Sequence, residues 1–402
     1  MRIGILKETK HPIDNRVALT PKQIKELERL YPDVSFEVQS SSIRAYSDEE
    51  YSRLNIPVVD RLDGCDILFG IKEADIKTLI PNKHYFFFGH IAKLQEYNRP
   101  LLKAMLDKGL TFSDYEYITD DSGKRLCAFG WWAGVVGVYY TLRGYGLKYG
   151  LYELPKPDLR FTLNDLLESL KSIQLPNIKI ILTGTGRVSE GAQYVLNSIG
   201  VSRVDIDTYL ATEIFDGITY AIADTKSLVK RKDGREFNRQ DFSNNPELYT
   251  SDFMRFANVS DVLISAHFWG AEDPVYLSEE ELKSDGLSIK MIGDITCDIM
   301  GSIKSTLRAS THDEPYYDYN PFTEKEEIAF SSPNNISVMA VDTCPNALAL
   351  DASSYFGDML IEHIIMPLLK GEQGDIIERA TIVNNGNIAP NYSYLNEFVK
   401  QR

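Results

Sequence analysis

Three ionisable residues stand where strands should end. Lys72 and Glu73 follow the apolar run Ile67-Leu68-Phe69-Gly70-Ile71, and His90 follows Phe86-Phe87-Phe88-Gly89. Open parallel sheets bind ligands at the carboxyl ends of their strands. A lysine and a histidine converging there can share proton transfers, provided burial draws their pKa values toward neutrality. Each also has an ordinary reading, the lysine as a solvated strand end and the histidine as a structural hydrogen-bonder. Arg16 lies in Asn15-Arg16-Val17-Ala18-Leu19-Thr20-Pro21, just before a helix. A fixed guanidinium there could clamp a carboxylate bidentately, or it is a plain surface arginine. Glu116 and Arg125 flank the acidic turn Asp120-Asp121-Ser122-Gly123, which by composition is a hairpin.

A second constellation is glycine-rich. Gly184-x-Gly186-x-x-x-x-Gly191-Ala192 follows the β-branched run Ile178–Thr183 and opens a helical pattern, with Arg187 and Val188 in its first turn. A tight turn, close backbone approach and a helix N-terminus suit a pyrophosphate. The spacing departs from G-x-G-x-x-G, and glycine turns also occur in α/β proteins without a cofactor. An acidic residue about 20 positions on would hold the ribose hydroxyls, which points to Asp205 or Asp207. Lys230-Arg231-Lys232 could instead hold a 2′-phosphate, or form an exposed hairpin tip. Asp294 and Asp298, after a further apolar run, either hold a ribose or substrate nitrogen or cap the next turn.

These residues need elements to carry them. Ile3–Leu6, Val34–Val38, Ile67–Gly70 and Tyr85–Phe88 read as short strands. Thr20 with Pro21 predicts the N-terminus of a helix reaching Leu30. Trp132–Leu147 reads as a glycine-interrupted helix, and Asp158–Pro176 as a helix and linker. Val262–Ala266 and Ile289–Ile292 read as core strands of a second α/β unit. Asp233-Gly234 signals a β-hairpin turn. Ser310–Phe330 reads as an irregular tyrosine-rich loop, and a long helix is expected from Pro345. The alternation implies an α/β chain with parallel sheets.

Composition bounds the function classes. The chain has 402 residues, 25% charged and 43% hydrophobic, with a net charge of −15. That length implies two or three domains. That acidity argues against nucleic acid or an anionic membrane as a partner. Cys65, Cys127, Cys297 and Cys344 form neither a disulfide framework nor a zinc pattern, so no metal is expected. No signal-peptide pattern or membrane-length apolar run is seen, so a cytoplasmic protein is expected.

The segments GILKET, NRVALTP, GIKEAD, FFFGHIAK, GKRLCAFGWWAG, GTGRVSEGAQ and GDITCDIMGSI occur in this order. Together they resemble the alanine dehydrogenase/saccharopine dehydrogenase superfamily over nearly the whole chain. The likeness is greatest to lysine-forming saccharopine dehydrogenase and to the lysine–ketoglutarate reductase half of the bifunctional enzyme. The resemblance implies two Rossmann-like domains with an active-site cleft between them. A discontinuous substrate domain is expected over residues 1–137 and 308–402, and a dinucleotide domain over 138–307. By position, Lys72 and His90 match the family's catalytic lysine and histidine. Arg16, Glu73, Glu116 and Arg125 match positions that hold or tune substrate. Gly184, Gly186, Arg187, Val188, Gly191 and Asp207 fall to the cofactor, and Asp294 matches an aspartate near the nicotinamide. The implied activity interconverts saccharopine with L-lysine and 2-oxoglutarate using NAD or NADP. Asp207 favours NAD, because a carboxylate repels a 2′-phosphate, whereas the reductase half favours NADP; the reading taken is NAD. The alternatives are an amino-acid or opine dehydrogenase with another amine, and a non-catalytic dinucleotide sensor.

Overall fold

A computed structural model describes residues 1–371 and 374–400. The chain divides into two compact units, one of residues 1–129 with 348–402 and one of residues 130–347. In chain order, the first unit carries strands β1 (Arg2–Ile5), β2 (Ser35–Gln39), β3 (Val58–Val59), β4 (Ile67–Phe69), β5 (His84–Phe87) and β6 (Thr111–Asp114). The second carries β7 (Lys179–Thr183), β8 (Ser202–Arg203), β9 (Thr219–Ala223), β10 (Val229–Arg231), β11 (Tyr249–Ser251), β12 (Val262–Ser265), β13 (Met291–Asp294), β14 (Tyr316–Asn320), β15 (Lys325–Glu327) and β16 (Ile336–Met339). The chain returns to the first unit for β17 (Thr381–Asn384) and β18 (Asn387–Ile388).

The first sheet runs β18-β17-β6-β5-β4-β1-β2-β3. Strands β1 to β6 are parallel, and β17 and β18 join antiparallel. Strand order reverses between β1 and β4, the crevice where open α/β sheets bind ligands. The helix Pro21–Leu30 begins as its sequence implied. Thr20 caps it, Pro21 opens it, and Gln23 completes a reciprocal capping box. Its buried face is Ile24 and Leu27.

The second sheet runs β15-β14-β16-β13-β12-β7-β9-β8. It is parallel except for β14 and β15. Every residue of β7 is buried, as expected of a strand covered on both faces. The helix Gly130–Tyr149 is apolar nearly all round and largely buried. It crosses the helix Arg187–Ser198 at backbone contact. A Cβ at Gly134 would overlap the Val188 carbonyl, and one at Gly191 would overlap the Trp131 carbonyl. Gly191 therefore serves helix packing, which explains its displacement from the usual third glycine position.

Several expectations change. The segment 308–347 adds β14, β15 and β16 to the second sheet, so the expected boundaries at 137 and 307 give way to 129 and 347. The tyrosine-rich stretch is no loop. Tyr316, Tyr317 and Tyr319 are buried in β14, and Asp318 accepts from Ser337 Oγ at 2.6 Å and from the Ser331 amide at 3.1 Å. Aromatic residues favour a strand, and the satisfied Asp318 makes a polar-looking run tolerable inside it. Asp233-Gly234 does make a turn, but β10 pairs with β11, beyond the intervening helix Arg239–Asn244. The helix expected from Pro345 begins as a 3-10 turn over Cys344–Leu348 and contains a π-helical stretch at Ile361–Ile365. Among the described residues, no helix is long and apolar enough to cross a membrane.

The crossing of Gly134 and Gly191 is testable. Gly134→Ala should destabilise the chain by about 1–3 kcal/mol, because backbone cannot yield as a side-chain tip can. A lowered urea midpoint with unchanged slope is expected; a parental midpoint would mean the helices are not in backbone contact.

Candidate active site

The carboxyl edge of the first sheet gathers ionisable groups from four neighbouring strands. After β1 come Glu8, Asp14 and Arg16; after β4 come Lys72 and Glu73; after β5 come His90 and Lys93; at the end of β6 come Asp114 and Glu116. Parallel register places the ends of β4 and β5 side by side, with Phe69 opposite Phe86. Lys72 and His90 therefore leave the sheet from adjacent strands, both only partly buried.

Four carboxylates here form two pairs whose pKa values are driven apart. Glu8 accepts from the amides of Ile71 at 2.7 Å and Lys72 at 2.9 Å. Burial, with the nearby charge of Asp14, pushes Glu8 up to about 8. Burial opposes ionisation of Asp14 as well, but the Arg16 guanidinium outweighs it and holds Asp14 below the usual range. In the second pair, burial with the charge of Glu116 pushes Asp114 up to about 7. Glu116 is also buried, yet His90, Lys93 and Arg125 overcome that cost and hold it down at about 2. The Lys93 ammonium lies 2.8 Å and the Arg125 guanidinium 2.9 Å from Glu116 Oε1, while His90 Nδ1 lies 3.3 Å from Oε2. Divergent pKa values in neighbouring groups are the arrangement acid/base chemistry uses.

The other expected residues divide between exposed and committed positions. Arg16 is buried, donates from Nε to Asp14 Oδ1 at 2.9 Å, and stacks its guanidinium 4.2 Å from the Phe129 ring centroid. Part of its fork is thus held by Asp14. The side chain of Glu73 is buried, and Lys10 Nζ lies 2.6 Å from one of its oxygens. Glu73 is thus ion-paired from the segment after β1. Sequence reasoning passed over Glu8, Asp14, Lys93 and Asp114. The strand-end rule that selected Lys72 would also have found Asp114, and Lys93 lies within the FGHIAK segment.

The glycine turn lies in the second unit. Gly184 has φ +88°, and a Cβ there would meet the Ala266 carbonyl and His267 Cα after β12. Gly186 faces open space and caps the helix Arg187–Ser198 without any side-chain hydrogen bond. Exposed backbone at an uncapped helix N-terminus fits a pyrophosphate. Val188 packs its carbonyl against Gly134, so its backbone is occupied by the helix crossing. Asp294 is buried and accepts from Thr296 Oγ1 and Thr306 Oγ1, both at 2.6 Å; burial raises its pKa against those bonds. His267 was not anticipated. It is buried between Thr183 Oγ1 at 2.7 Å and Ser302 Oγ at 2.9 Å, and burial lowers it to about 4.

Topology alters the search for a ribose ligand. The strand beside β7 is β9, not β8, so Asp207 lies exposed on a helix past the edge of the sheet. Asp205 caps that helix through the Thr208 amide. The acidic residue at the carboxyl end of β9 is Asp224, next to Ala223, whose carbonyl accepts from the Gly184 amide at 2.8 Å. Asp224 Oδ1 takes both Ser227 bonds, from the amide at 2.9 Å and from Oγ at 2.6 Å. Lys230, Arg231 and Lys232 are each engaged, with Asp252, Asp233 and the Glu247 carbonyl respectively.

Glu116 gives a pH signature. Its folded pKa lies below the ordinary 4.5, so its ionic contacts add stability above pH 4.5 and lose it as pH falls toward 2. A shift of that size corresponds to about 3 kcal/mol as an upper bound. Glu116→Gln should therefore show its largest stability loss at pH 7 and converge on the parent near pH 2 in denaturant melts. A loss independent of pH would refute the charge argument.

Known proteins resemble this chain along its whole length. Residues 4–136 match the family described as alanine dehydrogenase/PNT, N-terminal domain. The alpha-aminoadipic semialdehyde synthase of Arabidopsis thaliana is 29% identical over 441 residues, covering 98% of this chain and 41% of that protein. The chain thus spans less than half the length of that relative. A saccharopine dehydrogenase (NAD(+), L-lysine-forming) of Emericella nidulans is 22% identical over 414 residues, covering 96% of this chain and 97% of that protein. A solved L-alanine dehydrogenase structure overlays with a TM-score of 0.65 at 16% identity, over 99% of this chain and 100% of the other, which establishes the shared fold. The chain is thus similar to the alanine dehydrogenase superfamily, and in particular to proteins named saccharopine dehydrogenase and alpha-aminoadipic semialdehyde synthase.

Proposed function

We propose that this chain is a nicotinamide-dinucleotide oxidoreductase acting on a CH–NH bond, interconverting saccharopine with L-lysine and 2-oxoglutarate. The observation that carries this reading is the convergence of Lys72 and His90 at the ends of adjacent strands, with Glu8 bonded to the Lys72 amide, Asp114 to the His90 amide and Glu116 beside the His90 ring. It is supported by full-length likeness to proteins named saccharopine dehydrogenase.

The chemistry suits these side chains. Saccharopine joins the lysine ε-nitrogen to the α-carbon of glutarate. A bound nicotinamide dinucleotide supplies hydride acceptance at that carbon. Lys72 takes the proton that keeps the secondary amine neutral. His90 serves the water that attacks the resulting imine, and Glu116, 3.3 Å from Nδ1, orients its ring. In the reverse direction the same groups act as acids. Arg125 and Lys93, each about half exposed beside Glu116, supply positive charge for substrate carboxylates.

Asp224 supports NAD over NADP. A carboxylate at the end of the strand beside the glycine turn pairs with ribose hydroxyls and repels a 2′-phosphate. The neighbouring basic run is engaged with carboxylates and a carbonyl.

The test is a matrix of NADH and NADPH against lysine, ornithine, alanine and ammonia, each with 2-oxoglutarate. Lysine with NADH should give the fastest turnover. Preference for another amine would replace the substrate reading, and no turnover with retained dinucleotide binding would favour a sensor. Lys72→Met and His90→Gln should each lower kcat by about 100-fold or more. Asp224→Ser should raise the NADPH rate relative to NADH; an unchanged ratio would remove Asp224 from cofactor selection.

A further inference from the structure

Lys72 and His90 are held by their backbones as well as by their surroundings. Glu8 reaches from the segment after β1 to the turn after β4, where its two oxygens accept separately from Ile71 and Lys72. Asp114 does the same for the turn after β5. Its Oδ2 accepts from the amides of Gly89 at 3.1 Å and His90 at 3.2 Å, and its Oδ1 accepts from Glu116 at 2.9 Å. The Asn98 side chain closes the turn from the other side by donating to the Gly89 carbonyl at 3.0 Å.

His90 has φ +52°, in the left-handed region that L residues rarely adopt. Such a conformation persists only where neighbours over-determine it. The two amides bound to Asp114, those of Gly89 and of His90 itself, fix the chain on the N-terminal side of that residue and supply the constraint. We propose that Glu8 and Asp114 are positioning residues, each fixing through backbone amides the turn that presents one member of the Lys72–His90 pair. Neither needs to touch substrate. The proposal rests on the acid/base reading of that pair.

Function follows from the acceptor count. A carboxylate accepts at both oxygens, whereas a carboxamide offers one acceptor and turns a donor toward the second amide. Glu8→Gln keeps shape and volume but breaks one side of its clamp, whereas Asp114 takes both turn amides at the single oxygen Oδ2, so its clamp is removed by Asp114→Ala. A small displacement of a proton-transfer group costs rate far more than binding, so kcat should fall about 10-fold or more in each variant. KM for 2-oxoglutarate should stay within about threefold, since its cations are untouched.

Amide hydrogen exchange by mass spectrometry supplies a readout independent of turnover. Glu8→Gln should speed exchange in peptides containing Ile71 and Lys72 but not those containing Gly89 and His90. Asp114→Ala should do the reverse. General destabilisation would instead speed both turns and the rest of the chain together, and that result overturns the proposal. So does a kcat within twofold of the parent in either variant. If the parent itself fails to turn over any amine, the functional reading falls, and the exchange pattern alone decides whether the clamps exist.

Discussion

A carboxylate removed from water must be neutralised, paired or hydrogen-bonded, and the first unit does all three within one sheet edge. Glu116 remains ionised because the Lys93 ammonium and the Arg125 guanidinium pair with it and His90 Nδ1 lies beside it. Asp14 remains ionised because Arg16 is pinned against it and against the Phe129 ring. Their neighbours, Asp114 and Glu8, accept from the backbone amides of two turns, and burial outweighs those bonds. The turns carrying Lys72 and His90 are thus shaped by the same electrostatic problem that divides the four acids.

The second unit solves a different problem, which is how close two backbones can come. Where the helix Gly130–Tyr149 meets Arg187–Ser198, glycines on both sides remove the side chains that would hold them apart. That contact fixes the start of the second helix and therefore where its unbonded amides point. The turn before it is shaped by Gly184, whose positive φ brings it against the backbone after β12. One glycine of the motif serves the turn, one leaves the backbone open, and one serves helix packing. The irregular spacing is the outcome of that division.

Local chemistry was legible in the sequence where one element decides it. The Thr20–Pro21 helix start, the apolar runs of β4, β5 and β7, and the strand-end positions of Lys72 and His90 need only periodicity and caps. Long-range choices were not legible. That β9 lies beside β7 depends on strand order, so a count of residues from Gly186 reaches Asp207, whereas the acidic residue at the end of the adjacent strand is Asp224. Tyr316–Asn320 looked like a loop because its neighbours are polar, and only the partners of Asp318 make it a core strand. The roles of Glu8 and Asp114 were hidden for the same reason. Each acts on a turn that is distant in sequence, from the far end of a different strand.

The sheets also share a trait at their margins. Their outermost strands are Val58–Val59, Asn387–Ile388, Ser202–Arg203 and Lys325–Glu327, two or three residues each. A long bare strand offers a row of unpaired amides and carbonyls to any other extended chain. Here that row is at most a residue or two long, and β15 places lysine and glutamate along it. Two eight-stranded sheets rich in aromatic and branched residues can therefore coexist with crowded cellular neighbours, because neither gives a foreign strand enough length to take hold.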